Sequence, residues 1–477
     1  MSANRTRRTK IVATVGPASR DPAILRELID SGVDVFRLNF SHGTAAEHAE
    51  NIERIREVAA EAGVEMGILG DLPGPKLRLG DLREDVAVLH SGSKVVLHGD
   101  ASETGDAERL PVQWAGISKA VETGHPVFLA DGRVRLKVIA VEDGEVTAEV
   151  EAGGAVSSHQ GVNLPGADAV LPDTGDSDRE WIGFACEHAI DMLAVSFVRR
   201  PADLDAVREE IEARGLDIPL IAKIEKPQAA ERAEEIIAAA GGGIMVARGD
   251  LGVELPIEEV PQAQKRLISL AGSAAKPTIT ATQMLATMVK ASRPTRAEVT
   301  DVANAIADGT DAVMLSEETA IGEHPVEAVR VMDRVARAAE GHLPYDDWLW
   351  NRVSTAERDV AVSLAQVALA ATYRLDLAAI VVPTGSGRTA RMVSSYRPRV
   401  PVLAVSAKLE TVRRMNLLFG VQAVEAEPWE SLRRLLDDCA ELAREHGIAR
   451  SGDLIAITAG LPSQELGTNL FEVHRVP

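Results

Sequence analysis

The sequence predicts an α/β protein, a TIM (β/α)8 barrel with an inserted β-barrel lid domain and a C-terminal α/β domain. Short runs rich in Val, Ile and Leu alternate with helical patterns, which indicates parallel strands joined by crossover helices. Eight such runs precede residue 320, and eight βα units make a TIM barrel. A region after the third run breaks this rhythm, and a second α/β alternation follows residue 351.

The barrel domain is predicted from its strands and from the helices that separate them. The predicted strands are residues 11–15, 34–39, 67–71, 192–196, 220–224, 244–247, 278–280 and 312–315. The predicted helices include residues 22–31, 45–62, 201–214, 261–275 and 298–308. We therefore expect a discontinuous catalytic domain made of residues 1–73 and 172–345.

The region between the third and fourth runs has a different pattern. Residues 74–171 alternate polar and apolar positions in segments separated by turn signals such as Asp131-Gly132 and Asp143-Gly144. This pattern predicts a small β-barrel inserted into a barrel loop.

The C-terminal region, residues 353–477, is expected to form an open sheet flanked by helices. Its predicted helices and strands are residues 359–373, 378–383, 388–397, 401–405, 429–446 and 454–458.

Composition limits the classes of function. Hydrophobic residues make up 45% and charged residues 26% of the 477 positions, as in globular proteins. The net charge of −21 argues against binding to nucleic acids or anionic membranes, which repel such a surface. Cys186 and Cys439 are far apart, and neither a signal-peptide pattern nor a run of about 18 apolar residues occurs. A cytoplasmic protein is therefore expected.

Polar side chains follow nearly every predicted barrel strand. In a TIM barrel the carboxyl ends of the strands form the active site, so these residues are candidates for it. They are Arg37, Asn39, Ser41, Asp71, Ser196, Lys223, Glu225, Arg248, Asp250, Thr282, Ser316 and Glu318.

Two segments carry the strongest chemical signal. Lys223 and Glu225 alternate on one strand and face the same side, where they could supply a cation and a metal ligand. Asp250 ends another buried strand, and Gly249 permits close approach of a ligand to the backbone. Two carboxylates suit Mg²⁺, which completes its shell with water and substrate oxygens. An exposed ion pair at 223/225 and a helix N-cap at 250 remain the structural alternatives.

Seven motifs then resemble the pyruvate kinase family, in family order and across essentially the whole chain. They are residues 9–19, 37–43, 163–166, 222–225, 245–252, 281–285 and 293–298. The resemblance implies transfer of the phosphoryl group of phosphoenolpyruvate to ADP, giving pyruvate and ATP in the final step of glycolysis. It also implies a barrel, a lid after the third strand and a C-terminal regulatory domain.

The resemblance assigns roles to residues that match the motifs. It implies that Glu225 and Asp250 bind Mg²⁺, with Mn²⁺ as an alternative, and that Lys223 neutralises charge on the transferred group. Catalytic roles are implied for Lys223, Thr282 and Arg37. Substrate binding is implied for Arg37, Arg78, Arg248, Gly249, Asp250 and Thr282.

The segment 71–78 departs from the pattern of K⁺-dependent relatives. Those relatives have Glu where this chain has Lys76, and the ammonium could replace the monovalent cation beside Asn39, Ser41 and Asp71. We therefore expect the K⁺-independent subtype; a solvated lid lysine is the alternative. Two further departures are Gln160, where many relatives have Lys, and Glu317, where the family usually has Gly.

A loop in the C-terminal domain resembles the family's effector site. It follows a predicted strand and opens a helix, a geometry that holds phosphate with backbone amides. Its candidate residues are Thr384, Ser386, Gly387, Arg388 and Thr389. The expected effector is a sugar phosphate or AMP, and the resemblance implies a homotetramer.

Two other functions fit parts of the sequence. A Mg²⁺-dependent lyase or aldolase acting on pyruvate-like enolates would lack the lid and the dependence on ADP. A non-catalytic metabolite sensor would be favoured by loss of Lys223, Glu225, Asp250 or Thr282, and all four are present.

Overall fold

The structure is a computed structural model that describes residues 7–74, 77–100, 102–130, 132–166, 175–346, 348, 360–460 and 468–477. It contains a closed eight-stranded barrel, an inserted seven-stranded sheet with a two-stranded ribbon, and a five-stranded C-terminal sheet. The predicted fold class is confirmed. In the described part of the chain, no helix is long and apolar enough to cross a membrane.

The eight barrel strands are β1 (Lys10–Thr14), β2 (Val35–Asn39), β3 (Gly67–Asp71), β13 (Met192–Val195), β14 (Leu220–Ile224), β15 (Gly243–Ala247), β16 (Thr278–Ala281) and β17 (Ala312–Leu315). They are parallel and close in the order β1-β17-β16-β15-β14-β13-β3-β2. Each predicted strand agrees with the observed one to within a residue at either end. The agreement arises because strands buried on both faces read as continuous apolar runs.

Helices follow and separate the barrel strands. They are α1 (Pro22–Ser31), α2 (Ala45–Ala62), α4 (Asp176–Glu187), α5 (Pro201–Glu212), α6 (Pro227–Glu231), α7 (Ala233–Ala239), α8 (Arg248–Glu254), α9 (Val260–Ser273), α10 (Arg296–Ala307), α11 (Glu317–Ala320) and α12 (Pro325–Glu340), with a 3-10 turn at Ala286–Val289. Sequence-encoded caps fix where some of them begin. Thr44 with Glu47 forms a capping box at the start of α2, and Thr295 with Glu298 forms one at the start of α10.

The inserted domain lies between β3 and α4. Its elements are β4 (Leu77–Arg78), β5 (Val86–Leu89), β6 (Lys94–His98), β7 (Arg109–Pro111), α3 (Ile117–Ala120), β8 (Pro126–Leu129), β9 (Val134–Glu142), β10 (Glu145–Ala152), β11 (Gly154–Ser157) and β12 (Gly161–Asn163). The large sheet has the order β4-β12-β8-β9-β10-β6-β7. A bridge between Leu79 and Val112, beside its two edge strands, brings those edges together and curls the sheet around an apolar core.

The C-terminal domain contains β18 (Leu377–Pro383), β19 (Val402–Ser406), β20 (Val421–Glu425), β21 (Leu454–Gly460) and β22 (Thr468–Arg475). Its helices are α13 (Val360–Arg374), α14 (Arg388–Ser395), α15 (Leu409–Met415) and α16 (Leu432–Glu445). The strand order is β20-β19-β18-β21-β22, and only β22 among these described strands runs antiparallel. Strands β20 and β22 and helix α15 were not predicted.

The C-terminal domain closes the amino-terminal end of the barrel. Leu417, which follows α15, is 1% exposed and packs in one apolar cluster with inward-facing residues of all eight barrel strands. Arg397 is also 1% exposed, and its Nη1 lies 2.7 Å from Asp311 Oδ1 just before β17. The opposite, carboxyl end of the barrel is therefore the end that remains available for a site.

Candidate active site

Lys223 is the centre of the polar cluster at the carboxyl end of the barrel. Its Nζ lies 2.9 Å from Glu225 Oε1, 3.2 Å from Asp71 Oδ1 and 2.7 Å from Ser196 Oγ. Burial alone would lower the pKa of Lys223, but the carboxylates of Asp71 and Glu225 outweigh it and raise that pKa above its ordinary value. The side chain is therefore a fixed positive charge at neutral pH.

Asp71 joins Lys223 to Arg37. Arg37 Nε lies 2.6 Å from Asp71 Oδ2, and Arg37 Nη1 donates to Thr14 Oγ1 at 3.0 Å. Asp71 is 1% exposed, and burial would raise its pKa. Arg37 and Lys223 overcome that effect and hold the pKa of Asp71 below its ordinary value. The three residues thus form a buried charged network that aligns two cations.

Glu225 is held by a backbone donor as well as by Lys223. The Phe197 N–H donates to Glu225 Oε2 at 2.6 Å, and Phe197 reaches this position with a φ of 56°. Burial raises the pKa of Glu225, and the nearby charge of Asp250 adds to the rise against the opposing effect of Lys223. Two mutually repelling carboxylates in one site form a donor set that fits a divalent cation.

A second cluster lies beside the first, where β15 and β16 end. The Gly249 N–H donates to Thr282 Oγ1 at 2.7 Å, and Thr282 Oγ1 donates to the Ala281 carbonyl at 2.7 Å. Thr282 has a φ of 66°, which is uncommon for a β-branched residue. This hydrogen bonding fixes the Thr282 side chain at the start of α8.

The guanidinium of Arg248 supports that unusual turn. It donates to the Thr282 carbonyl at 2.8 Å, to the Ala281 carbonyl at 3.2 Å and to Asp301 Oδ1 at 2.7 Å. The Arg248 side chain thus holds the loop that presents Thr282. Among the predicted substrate-binding residues, Arg248 therefore directs its guanidinium towards other protein groups.

The remaining predicted residues lie at the end of β2, on the inserted domain or outside the described residues. Asn39 pairs in register with Asp71, and its Oδ1 accepts from the Ser41 N–H at 3.2 Å. Arg78 lies on β4 of the inserted domain, where its Nη1 donates to the His159 carbonyl at 3.1 Å. Lys76 lies outside the described residues.

Several residues that contact the site residues had no role predicted from the sequence. Ser196 Oγ donates to the Leu72 carbonyl at 2.7 Å while it contacts Lys223. Glu318 is buried and accepts from the backbone N–H groups of Leu285 and Ser316 at 3.0 and 2.7 Å. Ser196 and Glu318 were recognisable as polar strand ends, whereas the Phe197 amide leaves no side-chain signal.

The sequence matches two models of one protein family. The family model described as pyruvate kinase, barrel domain, matches residues 6–329, and the one described as pyruvate kinase, alpha/beta domain, matches residues 362–474. The chain belongs to the pyruvate kinase family.

Full-length relatives agree with this membership. A pyruvate kinase of Geobacillus stearothermophilus is 44% identical over 98% of this chain and 80% of the relative. One from Thermococcus litoralis is 40% identical over 98% of this chain and 99% of the relative. The crystal structure of a pyruvate kinase from Cryptosporidium parvum superposes with a TM-score of 0.94 at 35% identity and covers 100% of this chain and 98% of that one.

Membership establishes the reaction. Pyruvate kinases transfer the phosphoryl group between phosphoenolpyruvate and ADP, giving pyruvate and ATP, so this chain is a phosphotransferase. The family generally uses Mg²⁺. The reading as a lyase or aldolase is not supported.

The loop that the sequence predicts to bind an effector in this pyruvate kinase family member follows β18. Gly387 has a φ of 76°, and its N–H donates to Thr384 Oγ1 at 3.0 Å, so a tight turn leads into α14. Ser386 and Arg388 are exposed, whereas Thr389 is buried and its Oγ1 lies 2.6 Å from Thr468 Oγ1. The predicted loop residues therefore include both exposed polar groups and a buried hydrogen bond to β22.

Proposed function

We propose that the cluster around Lys223 is the phosphoryl-transfer site of this enzyme. The observation that carries this proposal is the contact of Lys223 Nζ with Glu225 and Asp71 at 2.9 and 3.2 Å. Phosphoryl transfer depends mainly on positioning and on stabilisation of developing charge. A buried, permanently charged ammonium meets that requirement.

The chain's own residues divide the work in this proposal. Arg37 and Lys223 neutralise the transferred phosphoryl group and the enolate oxygen, while Asp71 keeps both cations in place. Thr282 and the backbone at Gly249 orient the carboxylate of phosphoenolpyruvate, and Arg248 supports them from behind. Arg78 approaches from the lid, whose closure would exclude water.

Glu225 and Asp250 would hold Mg²⁺. The Mg²⁺ ion would neutralise negative charge on the substrate and polarise substrate oxygens. Among the described residues, no set of three or more acidic, His or Cys side chains gathers around a point. Proteins usually bind Mg²⁺ through one or two carboxylates, and water and substrate oxygens complete its shell. Mn²⁺ could substitute because it accepts the same oxygen ligands.

We further propose that the enzyme does not need K⁺. The proposal rests on Lys76 in the sequence, at the position where K⁺-dependent relatives have Glu. Asn39, Ser41 and Asp71 would surround the ammonium in place of the monovalent cation. One positive charge would then replace another.

The remaining family features are proposals of the same kind. The lid comprises residues 74–171, between barrel segments 1–73 and 172–345, and residues 353–477 form the regulatory domain. A sugar phosphate or AMP would bind its phosphate at Thr384, Ser386, Gly387, Arg388 and Thr389. The enzyme would act as a cytoplasmic homotetramer.

One assay tests the reaction and the cation proposal separately. Pyruvate formation is measured from phosphoenolpyruvate, ADP and Mg²⁺ with tetramethylammonium as the monovalent cation, before and after K⁺ is added at constant ionic strength. We expect full turnover without K⁺ in the natural enzyme and strong activation by K⁺ in Lys76→Glu. Strong activation of the natural enzyme would refute the role of Lys76, whereas turnover without ADP would refute phosphoryl transfer.

A further inference from the structure

Three cationic side chains from distant parts of the sequence converge on the end of α7. Arg208 Nη2 donates to the Ala239 carbonyl at 2.7 Å, and Lys276 Nζ donates to the Ala240 carbonyl at 2.7 Å. Arg391 Nη1, from the C-terminal domain, donates to the carbonyl of residue 241 at 3.0 Å. Consecutive carbonyls thus gather three positive charges where the barrel meets the C-terminal domain.

The charges in this cluster repel one another. No ion pair joins Lys276 or Arg391 to a carboxylate among the described residues, while Arg208 pairs with the exposed Asp205. The buried carboxylate of Asp311 lines the same cavity of about 10 Å³ as Lys276 and Arg391, and it is paired with Arg397. A negatively charged small molecule would relieve this repulsion.

Burial and the neighbouring positive charges change the protonation of Lys276. Burial, followed by the charges of Arg391 and Arg208, lowers the pKa of Lys276 to about 8. At pH 7.5 roughly a quarter of such amines are neutral, against about one in a thousand for an ordinary lysine. Lys276 is half-buried, so it is not enclosed in the core.

We propose that Lys276 is a modification site that accepts acyl groups from small acyl phosphates. The phosphate of the donor is attracted to Arg208 and Arg391, which places its carbonyl carbon beside the amine. The Nζ lone pair attacks that carbon, the bond from carbon to the phosphate oxygen breaks, inorganic phosphate leaves and the amine proton passes to water. The product is an uncharged amide.

Acylation would leave part of the local structure intact. The amide nitrogen keeps one N–H, which can still donate to the Ala240 carbonyl. The central charge is lost, so Arg391 and Arg208 no longer face a third cation. Acylation would therefore alter the electrostatics of the contact between the barrel and the C-terminal domain without touching the Lys223 cluster.

The test uses the folded full-length enzyme and acetyl phosphate at pH 7.5, with peptide mass spectrometry at several times. We expect Lys276 to be acetylated about tenfold faster than an exposed lysine, since its larger neutral fraction outweighs its lower basicity. Lys119, Lys290 and Lys408 are exposed and serve as internal references. Equal or slower modification of Lys276 would overturn the proposal.

A variant separates the cation cluster from simple accessibility. Arg391→Gln should slow acetylation of Lys276 several-fold and leave the three reference lysines unchanged. Arg208→Gln is a second variant if circular dichroism shows that Arg391→Gln misfolds. In urea the preference for Lys276 should disappear; a preference that survives unfolding, or is unchanged in the folded variants, contradicts the role of the cluster.

Discussion

Lys223 Nζ and Glu225 Oε1 lie 2.9 Å apart at the mouth of the barrel, and the two residues are separated by a single position in the chain. Alternation along an extended strand places their side chains on the same side. Asp71 then contacts the same ammonium from β3, 3.2 Å away. Removal of the ammonium would leave two buried carboxylates without their shared cation, which is costly in a buried site.

The first prediction concerns that ammonium. Lys223→Met keeps most of the length of the side chain but removes its charge, so the developing charge in phosphoryl transfer is no longer stabilised. We expect kcat to fall by about a thousandfold or more, with a smaller effect on KM. Steady-state kinetics with Mg²⁺ check this. Lys265→Met, at a half-exposed site, is the matched control, and a loss below tenfold for Lys223→Met would contradict the role.

Ser196 carries the second prediction. Its hydroxyl accepts from Lys223 Nζ at 2.7 Å and donates to the Leu72 carbonyl at 2.7 Å, so it fixes the direction of the ammonium. Ser196→Ala should lower kcat/KM by about ten- to a hundredfold, because a hydrogen bond to a charged group contributes about 1.5–3 kcal/mol. Ser196→Thr, which retains the hydroxyl, should recover part of the loss. Ser273→Ala, at an exposed helical site, should leave kcat/KM unchanged.

The sequence predicts the strands and the side chains that alternate along them better than it predicts contacts between strands and backbone donors. All eight barrel strands were predicted because each is a buried apolar run, and Lys223 and Glu225 were assigned together because alternation depends on the sequence alone. The contact between Ser196 and Lys223 was not predicted, because it depends on strand register across 27 positions. The Phe197 N–H could not be predicted either, since every residue type except proline has such a donor.

The C-terminal domain shows the same limit. Strand β22 pairs antiparallel with β21 and is mostly half-exposed, so it lacks the apolar run that marked its neighbours. Helix α15 has only seven residues, too few for a clear helical period. Leu417 could be recognised as apolar, but its place beneath the barrel depends on how two domains meet.

The third prediction is a pH dependence of stability at Asp71. Its folded-state pKa lies below its ordinary value, so its contribution to stability is present above pH 3.8 and is lost as pH falls through the folded-state pKa. Asp71→Asn should therefore be much less stable than the natural enzyme at about pH 6, and the difference should shrink towards about pH 3. Urea unfolding followed by fluorescence measures it.

The control for Asp71 is an exposed carboxylate. Asp437 is exposed on α16, and Asp437→Asn should follow the natural enzyme across the same pH range. A difference between the natural enzyme and Asp71→Asn that stays constant with pH would show that shape, and not charge, explains the loss. A difference that grows as pH falls would contradict the sign of the pKa shift.

The last prediction concerns the floor of the barrel. Leu417 is 1% exposed and belongs to the same buried apolar cluster as Val12, Met245 and Ile279, so the C-terminal domain supplies part of the barrel core. Leu417→Ala should lower the free energy of unfolding of the barrel by about 2–5 kcal/mol, because it removes buried methyl groups and leaves a cavity. Thermal unfolding should show it, and Leu432→Ala, at a residue 41% exposed, should have little effect. If the barrel transition stays unchanged while the C-terminal domain alone is destabilised, then Leu417 stabilises only its own domain.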